Sequence, residues 1–142
     1  MADTLIDEST PFGSRVAAHL RDDVVVWFTT VSPSGAPSPR PVWFLWDGDR
    51  EVVVYSQESQ RVKNIAGNPK VALNFRADRL GGDVVVLNGE ARIDPDAPPA
   101  HEVPGYREKY AEHVAHLGTA PEAFAADYHV AVRITLTRLH GF

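Results

Sequence analysis

Three extended runs follow one another near the front of the chain with only turn-sized gaps between them, and that spacing restricts the fold most. Residues 24–31, 41–46 and 51–55 are rich in β-branched and aromatic side chains, which suit a pleated, partly buried surface. Pro33-Ser34-Gly35 lies in the first gap and Asp47-Gly48-Asp49 in the second, both with turn chemistry. Parallel neighbours need a crossover of a dozen or more residues, usually a helix. These runs must therefore pair as antiparallel strands. Residues 41–46 (Pro-Val-Trp-Phe-Leu-Trp) are apolar at both parities, so one strand covered on both faces is expected there.

Further strands are expected over 71–76, 84–93 and 130–137. The last alternates most cleanly, with Val130, Val132, Ile134 and Leu136 set against Ala131, Arg133, Thr135 and Thr137. Short helices are expected over 12–21, 59–66 and 105–117. A fourth is expected to open at Thr119-Ala120-Pro121-Glu122, which has the form of a capping box, and to run to Asp127. The pattern predicts a mainly β fold: a six-stranded antiparallel split β-barrel with short helices at its ends, in a single domain over 1–142. Residues 1–11 are expected to form a flexible N-terminal arm.

Composition narrows the function. With 142 residues, 44% hydrophobic, the chain buries roughly two-thirds of its unfolded surface without staples. It contains no cysteine, which excludes disulfides, thiolate metal sites and cysteine nucleophiles. The formal net charge is −5, the wrong sign for a nucleic-acid binder, so any bound anion needs a local cluster of cations. Neither a basic, apolar leader nor an apolar run of membrane-spanning length is present, so a cytoplasmic protein away from the membrane is expected.

The segment Tyr55-Ser56-Gln57-Glu58-Ser59-Gln60-Arg61-Val62-Lys63-Asn64 supplies such a cluster. A strand ends, small polar residues follow, and a helix opens with two cations near its start. The helix dipole is positive there, so cations are poorly placed unless an anion lies beside them. Free amides, the Ser56 and Ser59 hydroxyls, Arg61 and Lys63 together make a phosphate seat. Spacing alone equally allows Arg61 and Lys63 to be solvated helix charges. The strand Arg40-Pro41-Val42-Trp43-Phe44 could line a flat aromatic ligand or could be plain barrel core.

The order of these pieces resembles the pyridoxamine 5′-phosphate oxidase-like split-barrel superfamily. A Ser-Gly hairpin leads to Pro-Val-Trp-Phe, then Tyr-Ser, Arg-Val-Lys-Asn-Ile and Asn-Pro-Lys-Val-Ala-Leu. The resemblance runs from about Phe12 to Arg92, resumes in the last strand, and is closest to small actinobacterial F420-dependent oxidoreductases. It implies that Arg61, Lys63 and Asn64 hold the phosphate of F420, or of FMN, with Tyr55, Ser56 and Gln60 flanking. It further implies that Pro41, Val42 and Trp43 run beside the ring. A homodimer with the cofactor at the subunit interface and a small-molecule substrate is implied too. The ending Thr137-Arg138-Leu139-His140-Gly141-Phe142 departs from the Arg-Leu-x-Pro tail of pyridoxamine-phosphate oxidases, so pyridoxine metabolism is not expected.

No Ser-His-Asp or paired-carboxylate arrangement is readable, and none is needed where a cofactor carries the chemistry. Arg40, Lys70, Arg76, Arg79 and Arg92 are candidates to follow the anionic tail of F420, or are ordinary surface charges. His113 and His116 lie three apart on a helix with His101 upstream, but no third ligand sits at a metal-site spacing. A non-catalytic flavin or F420 carrier is one competing reading. A haem-binding barrel using His129 or His140 is another.

Overall fold

The computed structural model describes residues 4–142. Along the chain it forms α1 (Pro11–Asp22), β1 (Val26–Val31), β2 (Pro37–Val42), β3 (Leu45–Trp46), β4 (Glu51–Ser56) and α2 (Gln60–Gly67). There follow β5 (Lys70–Asn74), β6 (Val85–Ile93), a 3-10 turn (Ala100–Glu102), α3 (Pro104–His116), α4 (Pro121–Asp127) and β7 (Val130–Gly141). All pairings are antiparallel, in the order β2-β1-β5-β6-β7-β4-β3.

The two edges of that sheet, β2 and β3, are consecutive in the chain, with only Trp43 and Phe44 between them. Three Cα steps span at most about 11 Å. The sheet therefore has to curl until its edges nearly meet, and among the described residues no ladder joins them. This is a split barrel of mainly β structure, and the split lies at Trp43-Phe44.

It has seven strands rather than six, because the run over 41–46 breaks in two. The Phe44 N–H donates to the Tyr110 hydroxyl at 2.9 Å instead of to a neighbouring strand. That hydroxyl donates to the Val24 carbonyl at 2.7 Å and lies 3.0 Å from the Phe44 carbonyl. One tyrosine of α3 thus replaces the ladder where the chain crosses from one edge to the other. Pro37, Pro39 and Pro41 alternate along β2, which an edge strand tolerates and a central one does not.

The barrel interior holds Val26, Phe28, Val52, Val54, Leu73, Leu87, Val132, Ile134 and Leu136, together with Val16, Ala17 and Leu20 of α1. A second cluster covers the outer side of β4, where Val53 and Tyr55 meet Tyr106 and Tyr110 of α3 and Phe124 of α4. Strand β4 is buried on both faces, hence its unbroken Val-Val-Val-Tyr. Strand β7 runs on to Gly141, past the expected end at 137, after a bulge opposite Asn88 and Gly89. Gly89 is required at that bulge, since a Cβ there would lie 2.8 Å from both Ile134 Cγ2 and the Thr135 carbonyl.

The described part of the arm has a defined place, and one local expectation, at α4, is corrected. The arm over 1–11 is laid against the barrel from Leu5 onward: Leu5 and Ile6 pack on the core, and Thr10 caps α1 by accepting the Gly13 N–H at 2.9 Å. Residues 1–3 lie outside the described residues. At α4 the N-cap is Ala120, with no side-chain bond, so the capping box does not form. Thr119 sits one place too early, and Pro121 alone sets the entry through its fixed φ.

Helix α1 is tied to the β5–β6 connection by His19. Its Nδ1 lies 2.7 Å from Asp23 Oδ2 and its Nε2 2.9 Å from Asp83 Oδ2, and Arg15 also pairs with Asp83, at 2.8 Å. A neutral ring donates from one nitrogen only, so two carboxylates call for imidazolium. Burial opposes the charge, but hydrogen bonds to Asp23 and Asp83 and their negative charges outweigh it, raising the pKa above 6.5. A pKa raised on folding contributes stability that is complete below the unfolded value and is lost as pH climbs through the folded one. The melting temperature of wild type should therefore exceed that of His19→Gln most at pH 6, and the gap should shrink steadily above pH 6.5. A gap that widens with pH contradicts the clamp.

Candidate functional site

A groove of about 500 Å³ opens at the barrel split, a size ordinary for a small-molecule site. Its floor and walls come from three places. Pro41, Val42 and Trp43 arrive with the end of β2 and the crossover, Tyr55, Ser56, Gln57, Ser59 and Arg61 with the end of β4 and the start of α2, and Tyr106, Phe124 and Tyr128 with the helical layer. Val25 and Leu117 form an apolar rim and are 39% and 60% exposed.

The polar end of the groove is built around Arg61. Its Nη1 donates to the Ser56 hydroxyl at 3.0 Å, which in turn donates to the Gln57 carbonyl at 2.8 Å. Among the described residues no carboxylate pairs with Arg61. Burial lowers its pKa, and the charge of Arg40 on β2 lowers it further. Arg40 itself is exposed, donates to the Pro39 carbonyl at 2.7 Å and does not line the groove. Ser59 is the N-cap of α2 but makes no capping bond, and its hydroxyl is buried without a partner. A buried hydroxyl of that kind, a half-buried guanidinium and the free amides that open a helix suit a phosphate or another oxyanion.

The apolar end is aromatic. Trp43 stacks on Tyr110 with ring centroids 4.6 Å apart and on Phe124 at 5.3 Å. Tyr55 meets Tyr106 edge to face at 5.2 Å, and its hydroxyl donates to the Pro98 carbonyl at 2.7 Å. Burial pushes the Tyr55, Tyr106 and Tyr110 hydroxyls up from the usual phenol range. All three stay neutral at working pH, so none is a base; Tyr55 and Tyr106 wall the groove, and Tyr110 supports Trp43 from outside its lining.

Of the residues singled out from sequence, the groove gathers Pro41, Val42, Trp43, Tyr55, Ser56 and Arg61. Gln60, Lys63 and Asn64 do not line it. Residues two apart on a helix point about 200° away from each other, so Arg61 and Lys63 cannot both face the groove. Lys63 is exposed to solvent. Asn64 is 2% exposed and turned inward, donating to Thr30 Oγ1 at 3.0 Å and accepting from Gln60 Nε2 at 2.9 Å. It fastens α2 to β1. Sequence reasoning missed Val25, Tyr106, Leu117, Phe124 and Tyr128. Tyr106 falls in the helix expected over 105–117, where an apolar side chain reads the same for core and for cavity wall.

The other polar candidates are dispersed. Arg92 pairs with Glu51 at 3.4 Å, whereas Lys70, Arg76 and Arg79 are exposed. His113 packs edge-on against Trp43 and Tyr110, and His116 is exposed. No cluster of three or more potential metal ligands occurs among the described residues. His129 lies 3.7 Å from Glu58, and His140 sits exposed on β7 opposite Val86. No described helix is long and apolar enough to cross a membrane.

Solved structures share this architecture. One described as an F420 reductase superposes with a TM-score of 0.68 at 25% identity, covering 87% of this chain and 94% of its own. A FAD-binding protein from Mesorhizobium loti gives 0.64 at 16% identity, covering 89% and 88%. The haem storage protein HutZ from Vibrio cholerae gives 0.62 at 13%, covering 93% and 95%. No curated protein matches. The family model for pyridoxamine 5′-phosphate oxidase matches residues 12–141, from the first turn of α1 to the end of β7. With its split barrel and its groove at the split, this chain belongs to the pyridoxamine 5′-phosphate oxidase family.

Proposed function

We propose that the protein is a cytoplasmic oxidoreductase that binds the deazaflavin F420 in the groove and passes hydride between it and a small organic substrate. FMN is the second cofactor to consider, since it offers the same phosphate and a similar flat ring. The observation that carries this reading is Arg61: half-buried in the groove lining, bonded to a serine hydroxyl, and with no carboxylate paired to it among the described residues. The 25% identity to a protein described as an F420 reductase supports F420 over FMN.

The residues present fit such a group. Arg61 and the Ser59 hydroxyl would take the phosphate, and the Tyr55, Tyr106, Phe124 and Tyr128 side would take the ring. When bound, the cofactor supplies the hydride chemistry. Arg61 offsets the phosphate charge and fixes register, by charge-assisted bonds that are stronger for being partly desolvated. The aromatic walls exclude water from the ring's surroundings, and Val42, buried in the barrel core, holds the adjoining strand in place. No side chain of this chain is assigned as a proton donor or base.

A homodimer belongs to the same proposal. The rim of the groove carries the exposed Val25 and Leu117, and Trp27, the strand partner of Pro41, is 41% exposed. A second copy would cover that rim and complete the site. The experiment is a fluorescence titration of the purified protein with F420 and with FMN, followed by turnover of reduced cofactor with a panel of electron-poor acceptors. Saturable F420 binding with turnover is expected. Binding without turnover on any acceptor would make the protein a carrier, and no binding of either cofactor overturns the reading.

A further inference from the structure

A second cleft, of about 160 Å³, lies between the 3-10 turn, α3 and α4. Its apolar walls are Tyr106, Tyr110, Phe124 and Pro121, and its volume suits a single ring of about benzene's size. Three lining residues carry polar groups without a partner among the described residues. Tyr106 is 2% exposed, yet its hydroxyl makes no hydrogen bond. His101 has its Nδ1 buried and unpaired. Arg107 is exposed, and no carboxylate pairs with it. Buried polar groups are nearly always satisfied, so a phenol left unpaired in the wall of a cleft points to a ligand. Arginine can only donate, and a neutral phenol and an imidazole each have a proton to give. The ligand must therefore bring acceptor oxygens as well as an apolar ring.

We propose that this cleft is a second small-molecule site, for a single-ring aromatic carboxylate whose ring packs among Tyr106, Tyr110 and Phe124 and whose carboxylate accepts from Arg107 and the Tyr106 hydroxyl. A carboxylate suits these donors better than an alcohol does, because a hydrogen bond to an ionised acceptor is the stronger kind. The site adjoins the groove. Tyr106 and Phe124 line both cavities, and Trp43, in the groove wall, stacks on Tyr110 and Phe124. A ring in the cleft thus touches the same aromatic side chains that hold Trp43, and its presence would stiffen that wall. The proposal does not depend on which cofactor the groove takes.

The test is a calorimetric titration of the full-length protein, without cofactor, using benzoate and, in a parallel arm, benzyl alcohol, which keeps the ring and drops the charge. Benzoate should bind saturably with a dissociation constant on the order of 1 mM, as befits so small a ligand. Arg107→Gln should weaken benzoate roughly 10-fold and leave benzyl alcohol within about twofold. Ala111 lines the cleft from an exposed position on α3, so Ala111→Leu should fill the cleft and abolish binding while the circular dichroism stays that of wild type. Arg61→Ala should bind benzoate as wild type does, which separates the cleft from the groove. Absence of saturable benzoate binding, binding that survives Ala111→Leu, equal losses of the two ligands in Arg107→Gln, or loss of benzoate in Arg61→Ala overturns the proposal.

Discussion

Replacing Arg61 with alanine should weaken F420 binding roughly 10- to 100-fold, or about 1.5–3 kcal/mol, which is the worth of a hydrogen bond to a charged group. Lys63→Ala should leave the dissociation constant within about twofold, as expected of a solvated surface charge. The contrast separates placement from charge, since both substitutions remove one positive charge from the same helix. Arg61 projects into the groove and bonds Ser56, whereas Lys63 is exposed on another face. Arg61→Lys should recover only part of the loss, because an ammonium cannot reproduce the planar fork. Titration of the variants in parallel decides the matter, and equal losses for Arg61→Ala and Lys63→Ala would remove the groove from the account.

The second large effect concerns the crossover. Tyr110→Phe removes a hydroxyl that accepts the Phe44 N–H in buried surroundings and donates to the partly buried Val24 carbonyl. Each stranded backbone group costs about 1–3 kcal/mol, so a loss near 2–3 kcal/mol is expected, or roughly 6–12 °C in Tm for a chain of this size. The deleted oxygen leaves little cavity, so packing contributes little. Amide exchange should accelerate first at Phe44, whose N–H is left without an acceptor. A variant as stable as wild type would mean that the Trp43-Phe44 break is set by something other than Tyr110.

Much of the barrel is legible in the residues because its signals are local. Short turns at Gly35 and Gly48 dictate hairpins, and period-two alternation marks β6 and β7. The division of residues 41–46 is not legible, because its cause is a hydroxyl 66 positions away in sequence. The same holds for the two-sided burial of β4: the run Val52-Val53-Val54-Tyr55 announces it, but not that α3 and α4 provide the outer cover. In the site, helical periodicity applied to Arg61 and Lys63 would have separated them. It would not have shown Asn64 turned inward to Thr30, since an asparagine reads alike at a ligand and at a helix anchor. The aromatic walls were hidden for a related reason, as Tyr106 and Phe124 fill a core and line a groove with the same surface.

The account rests on a phosphate lying at the opening of α2. A crystal structure of the protein with F420 measures that directly. The phosphate oxygens should lie about 3 Å from the Arg61 guanidinium and the Ser59 hydroxyl, with the ring between Pro41–Trp43 and the Tyr55, Tyr106, Phe124 and Tyr128 side. A phosphate held elsewhere, with Arg61 still bonded only to Ser56, would contradict it.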